Sequence, residues 1–204
     1  MLSADEIADA LALDPDDSNR LSVVPRPDDV VLRQRAATSI DLRLGRWFRS
    51  FKQTRAQAYA LAAVEDDVGD SPSEVSRTKQ HFVPFGAKFV LHPGRFVLGV
   101  TLEWLQLPAS LSGYVTGKSS LGRHGLVVEA AAGIHPHFSG CLTLELANMG
   151  EVPLAIYPGM SVCQVFLHRT RPSESVDLGM FSGRRKPAFS PPKVDEIFRK
   201  LKDS

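Results

Sequence analysis

From Phe82 onward the chain is built of short apolar runs, each closed by a glycine or proline turn. Lys88-Phe89-Val90-Leu91 stops at His92-Pro93-Gly94, Phe96 to Val100 leads to Leu107-Pro108, and Gly113 to Gly117 leads to Lys118-Ser119-Ser120. Leu126-Val127-Val128, Leu142 to Leu146, Leu154-Ala155-Ile156 and Val162 to Leu167 follow. Runs this short do not fill a helix, and strands spaced about 8 to 15 residues apart with such turns predict an all-β barrel or sandwich. Thr38 to Gly45 alternates, placing Ile40, Leu42 and Leu44 on one face and Asp41 and Arg43 on the other, as a half-buried strand does.

The two ends differ. Ser3-Ala4-Asp5-Glu6 is a capping box and predicts a short N-terminal helix with Ile7 and Leu11 inward, ended by the turn residues from Asp14. Leu21 to Pro25 reads as a first strand stub. Residues 52–80 hold no sustained period and predict a surface insertion with a short helix around Ala56 to Val64. After Thr170 the tail is rich in Ser, Pro and Arg, and Val194, Ile197, Phe198 and Leu201 predict a short closing helix. We therefore expect one β domain over 1–170 and a tail over 171–204.

At 204 residues, 43% hydrophobic and 23% charged, the chain can bury a core, so dominant disorder is excluded. A net charge of +1 gives no basic surplus for nucleic acid. No apolar run approaches the roughly 20 residues that span a bilayer, and the first ten residues carry acids and no cations, unlike a secretory signal. Cys141 and Cys163 are too few for a disulfide framework and lack metal-ligand spacing. They read as buried thiols in a cytoplasmic protein.

Four stretches carry chemistry. Gly117-Lys118-Ser119-Ser120-Leu121-Gly122-Arg123 gathers two hydroxyls and two cations, which suits a phosphate, though it lacks Walker A spacing. A solvated polar turn accounts for the pattern equally well. On Leu142-Thr143-Leu144-Glu145-Leu146 a lone carboxylate lies amid leucines. If buried, it would be held toward its neutral form and suit acid–base work; an ordinary exposed strand glutamate is the plainer alternative. His135-Pro136-His137 forms a possible metal pair, but a third ligand would have to come from His124, Glu129 or His168, so a polar loop is the simpler account. Arg184-Arg185-Lys186 lies on the tail, either as a solvated run or as a clamp on a polyphosphate. Zinc-dependent nucleobase deamination needs a Pro-Cys-x-x-Cys that this sequence lacks.

Together these segments resemble the dCTP deaminase and dUTPase superfamily, on its deaminase side. The matching text is Ser39 to Gly45, Leu91-His92-Pro93-Gly94 with Phe96-Val97-Leu98, Gly117 to Leu126, Phe138-Ser139-Gly140, Leu142 to Leu146 and Tyr157 to Met160, with a similar start at Leu2 to Ile7. The resemblance implies a distorted β-barrel in a homotrimer with active sites between subunits. It implies a deoxynucleoside triphosphate carrying Mg²⁺, no zinc, and neither a nucleic-acid nor a membrane partner. Glu145 would activate water for attack at C4 of cytosine, with Ser119 and Arg123 holding that water. Lys118 and Ser120, with Leu121 and Gly122 completing the loop, would hold the phosphates. Thr143 and Leu144 would border the base, Phe138 the deoxyribose and His135 the 3′-hydroxyl, with Arg184 reaching from the tail.

Three departures matter. The family's aspartate at the sugar turn is replaced by His135 in Ile134-His135-Pro136; the turn is one residue short; and Met180 and Arg184 stand where the tail's lysine and glutamine are expected. Because diphosphate hydrolysis needs a carboxylate at the turn, the leading expectation is deamination of dCTP to dUTP and ammonia. Hydrolysis of dUTP, alone or coupled to deamination, is the alternative. A nucleotide-binding homologue without turnover is the third reading.

Overall fold

The computed structural model describes residues 1–34, 37–53, 77–129, 133–172, 182–189 and 196–202. The short helix expected at Ala56 to Val64 lies outside them, as do Met180 and Val194.

Helix α1 (Ala4–Ala12) starts at the predicted capping box: Glu6 N–H donates to Ser3 Oγ, and Ser3 N–H donates to Glu6 Oε2 at 2.9 Å. That backbone N–H, with Arg169 beside it, holds the Glu6 carboxyl down at about 2. The helix buries Ile7 and Leu11, and Leu2 N–H reaches Leu167 O at 2.8 Å, fastening the N-terminus to the β core. Helix α2 (Asp29–Gln34) packs against α1 through Arg33, which pairs with Asp5 and Asp9. The sequence pattern did not disclose α2.

The strands are β1 (Ser22–Val24), β2 (Ser39–Arg43), β3 (Trp47–Phe51), β4 (Thr78–Phe82), β5 (Phe89–Leu91) and β6 (Phe96–Gln106). They continue with β7 (Leu111–Gly117), β8 (Leu126–Glu129), β9 (Ser139–Asn148), β10 (Leu154–Ile156) and β11 (Ser161–Arg169). A short helix α3 (Ser119–Gly122) joins β7 to β8, and α4 (Glu196–Lys202) is the closing helix. The fold is mainly β with short terminal helices, as read from the sequence. Its strands form three sheets, β4-β3-β6-β9-β8 with β1 also on β6, β10-β5, and β2-β11-β7, and these do not close into one barrel.

The core lies between the large sheet and β2-β11-β7. Ile40, Leu42 and Leu44 are all at most 1% exposed, on the predicted face of β2. They meet Leu144, Leu146, Val162 and Val165. Burying each such side chain contributes about 1.5–3 kcal/mol. The expected surface insertion ends sooner than predicted, because Thr78 to Phe82 pair with Trp47 to Phe51 as a β ladder.

Candidate active site

The hydroxyl-rich loop leaves β7 at Gly117, which lies against β8: a Cβ there would sit 2.9 Å from Val128 O. Lys118 is extended, and the next four residues wind into α3. Leu121 packs on the core while Ser119, Ser120, Gly122 and Arg123 face solvent. Gly125 returns the chain to β8 with φ +90°, its backbone so near Gly150 that a Cβ would approach Gly150 N to 2.7 Å. Asn148 anchors this end of the sheet: fully buried, it donates to Leu91 O and Val152 O and accepts from Gly150 N–H.

Beside the loop opens a cavity of about 660 Å³, lined by α2 and the outward face of β2 and β11. Arg26, Asp41, Arg43, Lys118, Ser161 and Gln164 reach it. Its charges are arranged in pairs. Lys118 Nζ is 2.6 Å from Asp41 Oδ2, and Arg26 Nη2 is 2.6 Å from Asp29 Oδ2. Arg43 donates through its backbone N–H and its Nε to the two oxygens of Glu103, at 2.8 and 2.7 Å. Ser161 Oγ is buried with no hydrogen-bond partner among the described residues. Behind this wall, burial and then Glu103 and Asp41 push the fully buried Cys163 thiol up to about 12, which favours its neutral form. Burial likewise pushes the Cys141 thiol up.

Glu145 projects from the middle of β9, between Leu98 of β6 and Glu129 of β8. The flanking leucines are core residues, as predicted, Leu144 and Leu146 both fully buried. Glu145 itself is exposed. The desolvated carboxylate considered from sequence is therefore not formed by one chain: alternation turns Glu145 to the outer face of the sheet, and the strand beyond it, β8, is short. Glu129, directly opposite, places a second carboxylate on that face, which the sequence pattern did not reveal.

Arg184, Arg185 and Lys186 are exposed, as a solvated run would be, but the segment that carries them is anchored. Residues 182–189 take over the edge of β9 beyond the end of β8. Gly183 N–H donates to Ser139 O at 2.6 Å, Cys141 N–H donates to Arg184 O at 2.9 Å, and Ala188 N–H reaches Thr143 Oγ1 at 3.3 Å. Arg185 stacks 4.7 Å over Trp104 and Lys186 lies 4.2 Å over Trp47. Arg184 holds the strap by its backbone and leaves its side chain exposed.

At the expected sugar turn, Ile134 bridges to Gly113 and Phe138 N–H closes onto His135 O at 3.2 Å. His135 is exposed, Phe138 packs partly on the core, and His137 has φ +64°, a conformation costing a non-glycine residue of order 1–3 kcal/mol. Among the described residues no three His, Cys, Asp or Glu side chains gather in a metal-binding group. No helix there is long and apolar enough to cross a membrane.

Comparison with known proteins fits this arrangement. The family model described as dCTP deaminase-like matches residues 1–170. This chain belongs to the dCTP deaminase-like family. A protein of Dictyoglomus thermophilum named "dCTP deaminase, dUMP-forming" is 42% identical over 155 residues, covering 75% of this chain and 76% of that protein. A protein of the same name from Mycobacterium ulcerans is 43% identical over 159 residues, 77% of each. The crystal structure of 2'-deoxycytidine 5'-triphosphate deaminase from Agrobacterium tumefaciens superposes with a TM-score of 0.55 at 21% identity, and supports the fold. That alignment takes in 81% of this chain, which spans 45% of the length of the Agrobacterium protein.

These relatives correct the expected product. A dUTP-forming reaction conflicts with homologues named for forming dUMP. The expectation rested on His135 depriving the site of a carboxylate. The structure shows other carboxylates close by, Asp41 against Lys118 in the cavity and Glu129 opposite Glu145.

Proposed function

We propose that this chain converts dCTP to dUMP, ammonia and diphosphate without zinc. The observation that carries the reading is the cavity joined to the 118–123 loop through Lys118, with Glu145 one strand beyond, in a chain 42% identical to a dUMP-forming deaminase. Lys118, Ser120 and the backbone at Leu121 and Gly122 hold the phosphate chain, which brings its Mg²⁺ with it. Thr143 and the Leu144 backbone border the cytosine, and Phe138 and His135 border the sugar. Glu145 takes one proton from water as the oxygen attacks C4 and passes it to the ring nitrogen, then takes the remaining hydroxyl proton at C4 and passes it to the departing amine as ammonia leaves. Ser119 and Arg123 position that water and stabilise the charge that develops at C4. A second water breaks the α–β phosphoanhydride bond.

The assembly we propose is a homotrimer with its sites between subunits, working in the cytoplasm. The exposure of Glu145 supports it, since a neighbouring subunit would supply the enclosure that one chain lacks. So does the outward aromatic ladder in which Tyr114, 40% exposed, stacks on Phe166 at 5.1 Å and on His168 at 5.5 Å.

The deciding experiment incubates the protein with dCTP and Mg²⁺ and measures dUMP, dUTP, ammonia and diphosphate together. Equal amounts of dUMP, ammonia and diphosphate are expected. Ammonia accompanied by accumulating dUTP, or no turnover, overturns the proposal.

A further inference from the structure

The buried carboxylate of Glu103 has no part in the chemistry above. Strand β6 loses register with β9 between Val100 and Trp104, and Glu103 sits in that irregularity with its side chain 3% exposed. The irregularity is held firmly: Thr101 Oγ1 donates to Glu103 O and accepts from Leu142 N–H, both at 2.9 Å. Both carboxylate oxygens are then used on one residue, Arg43, 60 positions away at the end of β2.

The manner of the grip matters. Glu103 takes the backbone N–H and the Nε of Arg43, the inner part of that side chain. The two terminal nitrogens of the guanidinium have no partner among the described residues. Arg43 is 43% exposed and lines the cavity. The other two cations there are engaged at their tips, Arg26 Nη2 by Asp29 and Lys118 Nζ by Asp41. Stability alone is a poor reason for this design, because a buried ion pair often does no better than well-packed apolar residues of similar volume. Fixing the direction of a planar two-pronged donor is a good reason, since phosphate oxygens match its geometry.

We propose that Glu103 is a positioning residue: it holds the Arg43 guanidinium in the wall of the cavity beside Lys118, so that Arg43 binds the phosphate chain of the nucleotide. The inference rests on the nucleotide reading above and adds to it a phosphate ligand on β2 and the buried carboxylate that aims it.

Glu103→Gln keeps shape and one acceptor but presents an amide N–H₂ to a guanidinium. Arg43→Lys keeps the charge but replaces the planar fork, with its Nε on Glu103 and its terminal nitrogens toward the cavity, by a point ammonium on a flexible stem. Both variants and their double are assayed for dCTP kinetics and, by calorimetry, for binding of inorganic tripolyphosphate. Each single variant is expected to raise KM for dCTP, and to weaken tripolyphosphate, by roughly 10- to 100-fold, the worth of a charge-assisted hydrogen bond. For the deamination step, read as ammonia release, the change in kcat should stay within about twofold, since the phosphates do not react in that step. The double variant should be no worse than Arg43→Lys. A Glu103→Gln protein that melts earlier but keeps wild-type KM and tripolyphosphate affinity overturns the proposal, as do losses that multiply in the double variant. If Glu103→Gln does not fold, Arg43→Lys at its half-exposed site decides, and wild-type values there overturn it. Absence of dCTP turnover in the wild type would sink the functional reading alone, because tripolyphosphate binding tests Arg43 independently. Wild-type protein that ignores tripolyphosphate overturns the inference itself.

Discussion

A carboxylate that activates water must accept a proton and release it again within each cycle, so its surroundings matter as much as its identity. Glu145 is set between core leucines on β9, which fixes its backbone to that of the rigid sheet, while its side chain stays in solvent in the single chain. Glu145→Gln keeps size and one acceptor and removes the base. Ammonia release should fall by at least about 10³-fold, within the range expected of general-base catalysis. Calorimetry should still show dCTP binding, and full turnover in the variant would remove Glu145 from the mechanism. At this scale the sequence was informative where chemistry is local. The leucines around Glu145 and the cations around Ser119 can be read off directly. Arg43 and Glu103 are 60 positions apart, and the irregularity in β6 disturbs the alternation that would have marked Glu103 as inward.

Elements that carry the site are held by close backbone approach more than by side-chain packing. The return of the 118–123 loop into β8 depends on Gly125, whose positive φ and 2.7 Å clearance from Gly150 N leave no space for a Cβ. Gly125→Ala is expected to destabilise the protein by about 1–3 kcal/mol, through strain at a conformation alanine disfavours. It should also raise KM for dCTP by displacing Lys118 to Arg123. Urea denaturation and steady-state kinetics check the two parts, and wild-type stability would show that the turn has another way to close. Elements with a strong alternating pattern or a capping box were legible: β2, the strands from β5 onward and α1. Helix α2, at Asp29–Gln34, is too short to show a period, and β3 and β4 form by pairing with one another across the insertion. The tail strap was unreadable for a different reason. Its own groups that bond β9 are backbone groups, which every sequence possesses, and its two cations stack on Trp104 of β6 and Trp47 of β3, far away in the chain.

Across the whole molecule, the loop and Glu145 lie on successive elements with β8 between them, and both face solvent. An enzyme that deaminates in water must still direct one water at C4, which calls for enclosure that one subunit does not supply. If the enclosure comes from a neighbouring subunit in a homotrimer, a site uses the loop of one chain and the carboxylate of the next. Complementation tests this directly. Arg123→Ala and Glu145→Gln chains, each inactive alone, are co-expressed with different tags, and doubly tagged trimers are purified. Every trimer that carries both chains holds one site in three that pairs an intact loop with an intact Glu145, so dCTP turnover should return to about one third of wild type. Sites contained within one chain would never combine the two intact halves, and mixed trimers would stay inactive. Recovery would also explain why the sequence alone could name the residues of the site without showing how they meet, since the distance that matters would lie between two copies of the same chain.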